Sequence, residues 1–150
     1  MLEVGASAPD FTATTDTGEQ ISLSSLRGKK VVLYFYPRDN TPGCTQEACD
    51  FRDREEALAA KGAVVLGVST DSAASHEKFK AKHALPFTLL ADPEKELVSA
   101  YGVYQEKKQY GRSFMGVVRT TFVIDADGVI ANVFEKVKVK GHADAVLDSL

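Results

Sequence analysis

The two cysteines of the chain, Cys44 and Cys49, are the residues best suited to carry chemistry. Cys44 follows a loop containing two prolines and a glycine, and it lies in the first turn of a predicted helix. The unpaired backbone N–H groups and the positive end of the helix dipole stabilise a thiolate more than a thiol there. Because thiolate is the nucleophilic form, the position predicts a reactive cysteine, although a free cysteine is more commonly a small buried hydrophobe.

Cys49 lies five positions after Cys44, a spacing that no disulfide can bridge on an intact helix. Two residues five apart on an α-helix have Cα atoms about 8.6 Å apart, whereas a disulfide tolerates at most about 7 Å. A bond between the two sulfurs therefore requires the first turns of the helix to unwind. The spacing suits a redox cycle in which Cys44 is oxidised, the helix end melts, and Cys49 resolves the product.

The histidines and cysteines give weak support for a metal site. The two-residue spacing typical of zinc-binding cysteine pairs is absent, and the three histidines show no recognisable ligand pattern. We therefore expect no metal and no bound cofactor.

Composition narrows the remaining classes of function. The chain has 150 residues, with 18 basic and 21 acidic side chains and a net charge of −3. This balance argues against nucleic acid binding, and no apolar run reaches the roughly 20 residues needed to cross a bilayer. The first residues lack a basic leader and a hydrophobic segment, so no signal peptide is predicted. We expect a single cytoplasmic domain over 1–150, with no membrane partner.

The cysteines must be positioned by buried strands and by helices whose ends carry recognisable start and stop signals. Continuous apolar runs predict strands at 31–36, 63–68 and 121–124, the last with a hairpin partner at 129–134. Helices are predicted at 45–61, 72–83, 92–102 and 142–150. A turn at 16–18 separates two further short strands. This order predicts a mixed α/β sandwich with parallel crossovers first and an antiparallel pair last.

The segment around Cys44 reads PRDNTPGCTQEACDF and resembles the active-site loop of the peroxiredoxins. The resemblance is closest to the bacterioferritin comigratory protein, or peroxiredoxin Q, subfamily. Pro37, Thr41 and Cys44 match the family pattern of Pro, three residues, Thr, two residues, Cys. Further matches cover most of the chain, at 5–11, 23–28, 110–116 and 119–122. The resemblance implies a thioredoxin-like α/β fold, with a central mixed β-sheet flanked by helices and an N-terminal β-hairpin extension.

The resemblance also implies a role for each matching residue. Cys44 would be the peroxidatic cysteine, and Cys49 would be the resolving cysteine of the same chain, as in atypical 2-Cys enzymes. Thr41 would hydrogen-bond the peroxide and the thiolate, while Arg119 would stabilise both from a later strand. Three supporting roles follow: Pro37 would fix the approach of the loop, Pro42 would shield the site, and Glu47 would orient the arginine.

The expected function is reduction of hydrogen peroxide and organic hydroperoxides by a thiol-specific peroxidase. Its sulfenic acid on Cys44 would be captured by Cys49 as an intramolecular disulfide, after local unfolding of the helix start. The family implies that thioredoxin or a similar dithiol reduces this disulfide, and that the enzyme is a monomer. Five apolar residues could line a rim that admits alkyl hydroperoxides, or could simply pack: Tyr101, Tyr104, Tyr110, Phe114 and Met115.

Three other functions stay open on the residues alone. A disulfide reductase or isomerase would normally use a Cys-x-x-Cys pair, which the chain lacks. A copper or zinc carrier on the same fold would bind metal stoichiometrically through both cysteines. A redox-sensing interaction protein would oxidise slowly and would not turn over peroxide when a reductant is supplied.

Overall fold

The computed structural model describes residues 2–150 and contains nine strands, one 3-10 helix and five α-helices within them. The strands are β1 (Thr12–Thr15), β2 (Gln20–Ser22), β3 (Lys30–Phe35), β4 (Ala63–Ser69), β5 (Thr88–Ala91), β6 (Tyr104–Gln109), β7 (Arg112–Val117), β8 (Thr120–Ile124) and β9 (Ile130–Phe134). The helices are α1 (Pro42–Asp53), α2 (Glu55–Ala60), α3 (Ala73–His83), α4 (Glu96–Ala100) and α5 (His142–Asp148), with the 3-10 helix at Leu23–Leu26. Among residues 2–150, no helix has the length and apolar character that crossing a membrane requires.

Seven strands form one mixed sheet in the order β2-β1-β5-β4-β3-β8-β9. Strand β3 is central, paired parallel with β4 and antiparallel with β8. Its side chains alternate between two apolar cores: Leu33 and Phe35 enter one, and Tyr34 enters the other. A strand buried on both faces needs a continuous apolar sequence, which explains the uninterrupted run at 31–36. The second core includes Cys44 on α1, so this helix packs on the sheet through its cysteine-bearing face.

The predicted mixed α/β architecture and its three central strands are confirmed. The predicted N-terminal hairpin is also present as β1 and β2, and β1 pairs with β5 so that the hairpin extends the main sheet at one edge. The closing antiparallel pair is β8 and β9, with a register shift between Val123 and Ile124.

The helix predicted at 45–61 begins earlier and is divided in two. Thr41 has extended backbone angles at the N-cap and Pro42 occupies the first turn, where a missing N–H costs nothing. The division falls at Arg54, whose φ of −112° and ψ of 8° end α1 before α2 begins. Its guanidinium stabilises the break by donating to Asp50 O at 2.9 Å and to Asp144 Oδ2 at 3.1 Å.

The helix predicted at 92–102 is shorter than expected, because α4 starts at Glu96. Lys95 adopts a left-handed conformation with φ of 61°, which prevents the helix from extending back to Asp92. The Asp92 carboxylate still satisfies the helix start, since it accepts hydrogen bonds from Leu97 N at 3.2 Å and Val98 N at 2.8 Å. Asp92 therefore caps α4 from outside the helix, and Lys95 occupies the N-cap position itself.

The separate hairpin of β6 and β7 is absent from the sequence prediction. Its residues are mostly polar and exposed, so they lack the alternation that marks a half-buried strand. The turn is formed by Tyr110 and Gly111, both with positive φ, as two-residue hairpin turns require. Strand β5 is also absent from the sequence prediction.

Candidate active site

Cys44 lies where the chain leaves the sheet and enters a helix. Strand β3 ends at Phe35, the loop crosses the carboxyl end of the sheet, and Cys44 occupies the first turn of α1. The residue is only 1% exposed. Its sulfur therefore combines burial with the partial positive charge of a 12-residue helix.

Arg119 supplies a cation to this sulfur from the neighbouring strand. It immediately precedes β8, whose Thr120 is paired with Phe35 at the end of β3, so the guanidinium reaches the loop beyond β3. Arg119 Nη2 donates to Cys44 Sγ at 3.3 Å. A side chain at Gly43 would bring its Cβ to 3.3 Å from the same nitrogen, so glycine leaves the space that the arginine needs.

Glu47 holds the other end of the guanidinium. It lies three residues after Cys44, on the same face of α1, and its Oε1 accepts from Arg119 Nη1 at 2.7 Å. The side chain is 1% exposed, and Oε2 has no hydrogen-bond partner among residues 2–150. Burial raises the pKa of Glu47 to about 7, although Arg119 acts to lower it.

His142 completes the buried polar group from the start of α5. Its Nε2 lies 2.8 Å from Thr121 Oγ1 and 4.0 Å from Glu47 Oε2. Burial, with a contribution from the Arg119 cation, lowers the pKa of His142 to about 4. The imidazole is consequently neutral near pH 7. Its place at this site was not predicted from the sequence.

The other predicted site residues surround the loop. Thr41 Oγ1 donates to Arg38 O at 3.0 Å, and the structure has no bond from this hydroxyl to the sulfur. With its proton so used, the Thr41 hydroxyl presents acceptor lone pairs to an incoming donor. Pro37 is half-buried, whereas Pro42 is exposed at the surface of the helix start.

Cys49 lies on the same helix and is partly exposed. Both cysteines are free thiols, and the intervening turn of α1 is helical. Helix geometry separates their Cα atoms by about 8.6 Å, which is beyond disulfide reach. This conformation is therefore the reduced and folded one.

Comparison with known proteins agrees with this geometry. Residues 4–133 match the profile of the AhpC/TSA family. The chain belongs to this family of peroxiredoxins. The Bacillus subtilis protein named peroxiredoxin Bcp is 50% identical over 149 residues, covering 99% of this chain and 95% of that relative.

Solved peroxiredoxin structures share the fold. The PrxQ of Xylella fastidiosa superposes with a TM-score of 0.94 at 34% identity, over 99% of this chain and 94% of its own. The bacterioferritin comigratory protein of Xanthomonas campestris has a TM-score of 0.89 at 40% identity, over 93% and 88% respectively. The thioredoxin-like fold and the peroxiredoxin resemblance are thus confirmed. As a peroxiredoxin, the protein is an oxidoreductase that reduces peroxides.

A cavity of about 630 Å³ opens beside the Cys44 loop of this peroxiredoxin. Three residues of the expected apolar rim contribute to its wall: Tyr104, Phe114 and Met115. The other two do not. Tyr101 is fully buried and donates its hydroxyl to Pro9 O at 2.7 Å, while Tyr110 is 95% exposed at the hairpin turn.

A second polar cluster near the loop was missed by sequence reasoning. Among residues 2–150, the group Asp39, Asp71 and His76 brings three potential ligand atoms within 4.8 Å of one another. Each side chain is already engaged in hydrogen bonds to protein atoms, which accounts for the cluster without a metal. The sequence offered no signal, because Asp39 and His76 are 37 positions apart.

The unusual titration of Glu47 predicts a pH-dependent contribution to stability. The folded protein retains a proton on Glu47 up to about pH 7, whereas the unfolded chain releases it near its usual pKa of 4.5. The resulting stabilisation is complete below pH 4.5 and is lost as the pH rises through 7. Glu47→Gln removes this effect, so its free energy of unfolding relative to wild type should rise by up to about 3 kcal/mol across that window.

Urea titrations of both proteins at several pH values measure the difference. His142 acts in the opposite direction: its lowered pKa makes stability rise between about pH 4 and its usual pKa of 6.5. The changes of stability with pH that come from Glu47 and from His142 oppose each other in wild type. Glu47→Gln should therefore show only the rise in stability with pH that comes from His142. Parallel pH profiles for the two proteins would show that Glu47 is ionised in the folded state throughout.

Proposed function

We propose that this peroxiredoxin reduces hydrogen peroxide and organic hydroperoxides at Cys44, with Cys49 of the same chain as the resolving cysteine. The observation that carries the proposal is the 3.3 Å contact from Arg119 Nη2 to Cys44 Sγ at the N-terminus of a helix. Two independent sources of positive charge thus meet at one buried sulfur, the arrangement expected of a nucleophilic cysteine.

In the first step, the Cys44 thiolate attacks one peroxide oxygen and the O–O bond breaks. Sulfur is oxidised by two electrons to sulfenic acid, and the leaving oxygen takes a proton to become water or an alcohol. Arg119 and the N–H groups of the first helical turn are fixed donors for the charge that develops on the oxygens. The Thr41 hydroxyl accepts a hydrogen bond from the peroxide, since its own proton is given to Arg38 O.

In the second step, Cys49 attacks the sulfenic sulfur, an S–S bond forms, and water leaves. The start of α1 must unwind first, which breaks the contacts of Arg119 with Cys44 and Glu47. An external dithiol, thioredoxin or a protein of similar chemistry, then supplies two electrons and regenerates both thiols. Because both cysteines belong to one chain, the cycle needs no partner subunit, and we propose a monomer in the cytoplasm.

The cavity supports the inclusion of organic hydroperoxides among the substrates. Its wall combines the apolar side chains of Phe114 and Met115, both exposed, with Pro37 and Thr41 of the Cys44 loop. The bacterioferritin comigratory protein of Xanthomonas campestris has alkyl peroxide reduction activity. An alkyl chain resting on this wall would direct its hydroperoxide toward the loop.

The resolving step is tested by Cys49→Ser. One equivalent of hydrogen peroxide should consume both thiols of the reduced wild type, with loss of two hydrogens in the intact mass. Cys49→Ser should stop at a sulfenic acid, trapped by dimedone, and should pass to sulfinic acid when peroxide is in excess.

The turnover of peroxide in the presence of a dithiol reductant is then compared between Cys49→Ser and wild type. The first oxidation of Cys49→Ser should match that of wild type, since Cys49 makes no contact with the sulfur of Cys44 in the folded form. An intramolecular disulfide missing from oxidised wild type would overturn the assignment of Cys49. A sulfenic acid on Cys49 in place of Cys44 would overturn the whole proposal.

A further inference from the structure

The loop before Cys44 contains a buried carboxylate that the peroxide chemistry does not use. Asp39 is 4% exposed. Its Oδ1 accepts from Tyr36 OH at 2.6 Å, and its Oδ2 accepts from Ser75 Oγ at 2.8 Å and from His76 Nδ1 at 2.7 Å. Burial acts to raise the pKa of Asp39, but the bonds from His76, Tyr36 and Ser75 outweigh it and keep the pKa below its usual value.

His76 is completely buried and has an acceptor on each side of its ring. Nδ1 faces Asp39 Oδ2, and Nε2 lies 2.9 Å from Leu90 O on β5. Asp39 and His76 thus form a buried hydrogen-bonded pair that links the Cys44 loop to α3 and to β5. Buried polar networks whose members are all hydrogen-bonded hold their surroundings rigidly.

The backbone of the loop is held at the same place. Asp39 N donates to Asp71 Oδ2 at 2.8 Å, and that oxygen also accepts from Ser69 Oγ at 2.6 Å at the end of β4. Immediately afterwards the chain changes direction at Asn40, which has φ of 63°, and reaches Thr41. The anchored part of the loop therefore ends just before Thr41, where the segment proposed to bind peroxide begins.

We propose that Asp39 and His76 are a positioning pair: they hold the loop up to Asn40 in place, and so confine the unwinding that joins Cys44 to Cys49 to the residues from Thr41 onward. This inference rests on the proposed function, because it concerns the extent of that unwinding. With the pair intact, Thr41 and the first turn of α1 return to the peroxide-binding arrangement after each cycle. Without it, the unwound state gains population at the expense of the folded one.

The two states differ in which reaction they permit. Peroxide attacks Cys44 only in the folded state, and a second peroxide can reach the sulfenic acid only there. Cys49 reaches that sulfenic acid only in the unwound state. Breaking the pair should therefore slow the first oxidation while it protects Cys44 from sulfinic acid formation. Both readouts fall, so a matched variant elsewhere in the fold is needed to separate this effect from a simple loss of global stability.

Asp39→Asn is the direct test, since it removes the charge and keeps the size. We expect the second-order rate constant for hydrogen peroxide to fall by about ten- to a hundredfold, as misplacement of reacting groups typically does. At a fixed excess of peroxide, the fraction of sulfinic acid measured by intact mass should fall at least about threefold. His76→Leu should show the same pattern, and His76→Asn, which keeps a donor near the Nδ1 position, should restore part of the wild-type behaviour.

Asp16→Asn is the matched control. Asp16 is also 4% exposed, its Oδ1 accepts from Leu89 N at 3.0 Å, and its Oδ2 lies 3.3 Å from Lys80 Nζ, with no contact to the Cys44 loop. Both readouts should stay at wild-type values in Asp16→Asn. Should Asp39→Asn fail to fold, Ser75→Ala removes one donor from the same carboxylate and should move both readouts in the same direction by a smaller factor.

The outcomes separate this inference from the proposed function. If wild type forms the Cys44–Cys49 disulfide but the sulfinic fraction of Asp39→Asn is unchanged, the positioning pair is wrong and the proposed function stands. Equal changes in Asp39→Asn and Asp16→Asn would likewise show that Asp39 and His76 contribute only to general stability. If wild type forms no such disulfide, the proposed function fails first, and the inference fails with it.

Discussion

Cys44→Ser is expected to lower the rate of peroxide reduction by more than about a thousandfold, as loss of an enzyme's nucleophile typically does. A serine hydroxyl at this position stays protonated and cannot accept oxygen from a peroxide, whatever positive charge surrounds it. Serine is close to cysteine in size, so the buried first turn of α1 should remain folded. Stopped-flow measurement of peroxide consumption by the reduced protein tests the expectation.

Cys49→Ser is the natural control for this experiment, because it removes the other thiol and leaves the site at the helix start unchanged. Its first oxidation should proceed at the wild-type rate. Residual activity in Cys44→Ser that disappears in the double variant would contradict the assignment, since it would make Cys49 a peroxide-reactive group in its own right. Urea unfolding of each variant checks that the fold is retained.

Arg119→Gln is expected to reduce the second-order rate constant for peroxide by about a hundred- to a thousandfold, the usual cost of removing one preorganised donor. The guanidinium is the side chain that donates to Cys44 Sγ, and it bonds Glu47 with its other terminal nitrogen. Its loss removes the cation beside the thiolate and leaves the Glu47 carboxyl unpaired in a buried site. Stopped-flow kinetics in the Cys49→Ser background isolates this first step.

Arg119→Lys makes the comparison sharper. A lysine restores one positive charge, but a single nitrogen does not reproduce the fork that spans Sγ and the carboxylate. An intermediate rate is therefore expected. Arg54→Gln is the matched control, because Arg54 also bonds a carboxylate, that of Asp144, but lies at the far end of α1. A rate for Arg119→Gln within about threefold of Arg54→Gln would remove Arg119 from the mechanism.

The parts of the fold that could be predicted from sequence are those whose burial leaves a local pattern. Strands β3, β4 and β8 are largely apolar because both faces of the central sheet are covered. The loop at Cys44 is equally legible, since its two prolines, glycine and cysteine lie within eight consecutive positions, 37–44. Arg119 was expected at the site only through family resemblance, and the fold explains its place by pairing Thr120 with Phe35.

The parts that could not be predicted depend on contacts between distant segments. His76 lies in an ordinary helical sequence, and its importance emerges only when α3 packs beside the loop that holds Asp39. His142 is similar, since α5 brings it to Thr121 from 21 positions away. The β6–β7 hairpin shows no alternation of polar and apolar residues, because little of its surface is buried. Single-sequence periodicity reports burial within an element, and it carries no information on which elements meet.

The sulfur–guanidinium contact joins residues 75 positions apart, and it forms only when β8 lies beside β3 in the sheet. Ribosomes add roughly 5–20 residues per second, so roughly 4–15 seconds pass between the synthesis of the cysteine and that of the arginine. A nascent chain in this interval carries an ordinary thiol without its cation. Under the proposed mechanism, Cys44 therefore becomes reactive toward peroxide only late in biogenesis, after the segment that carries Arg119 has been synthesised.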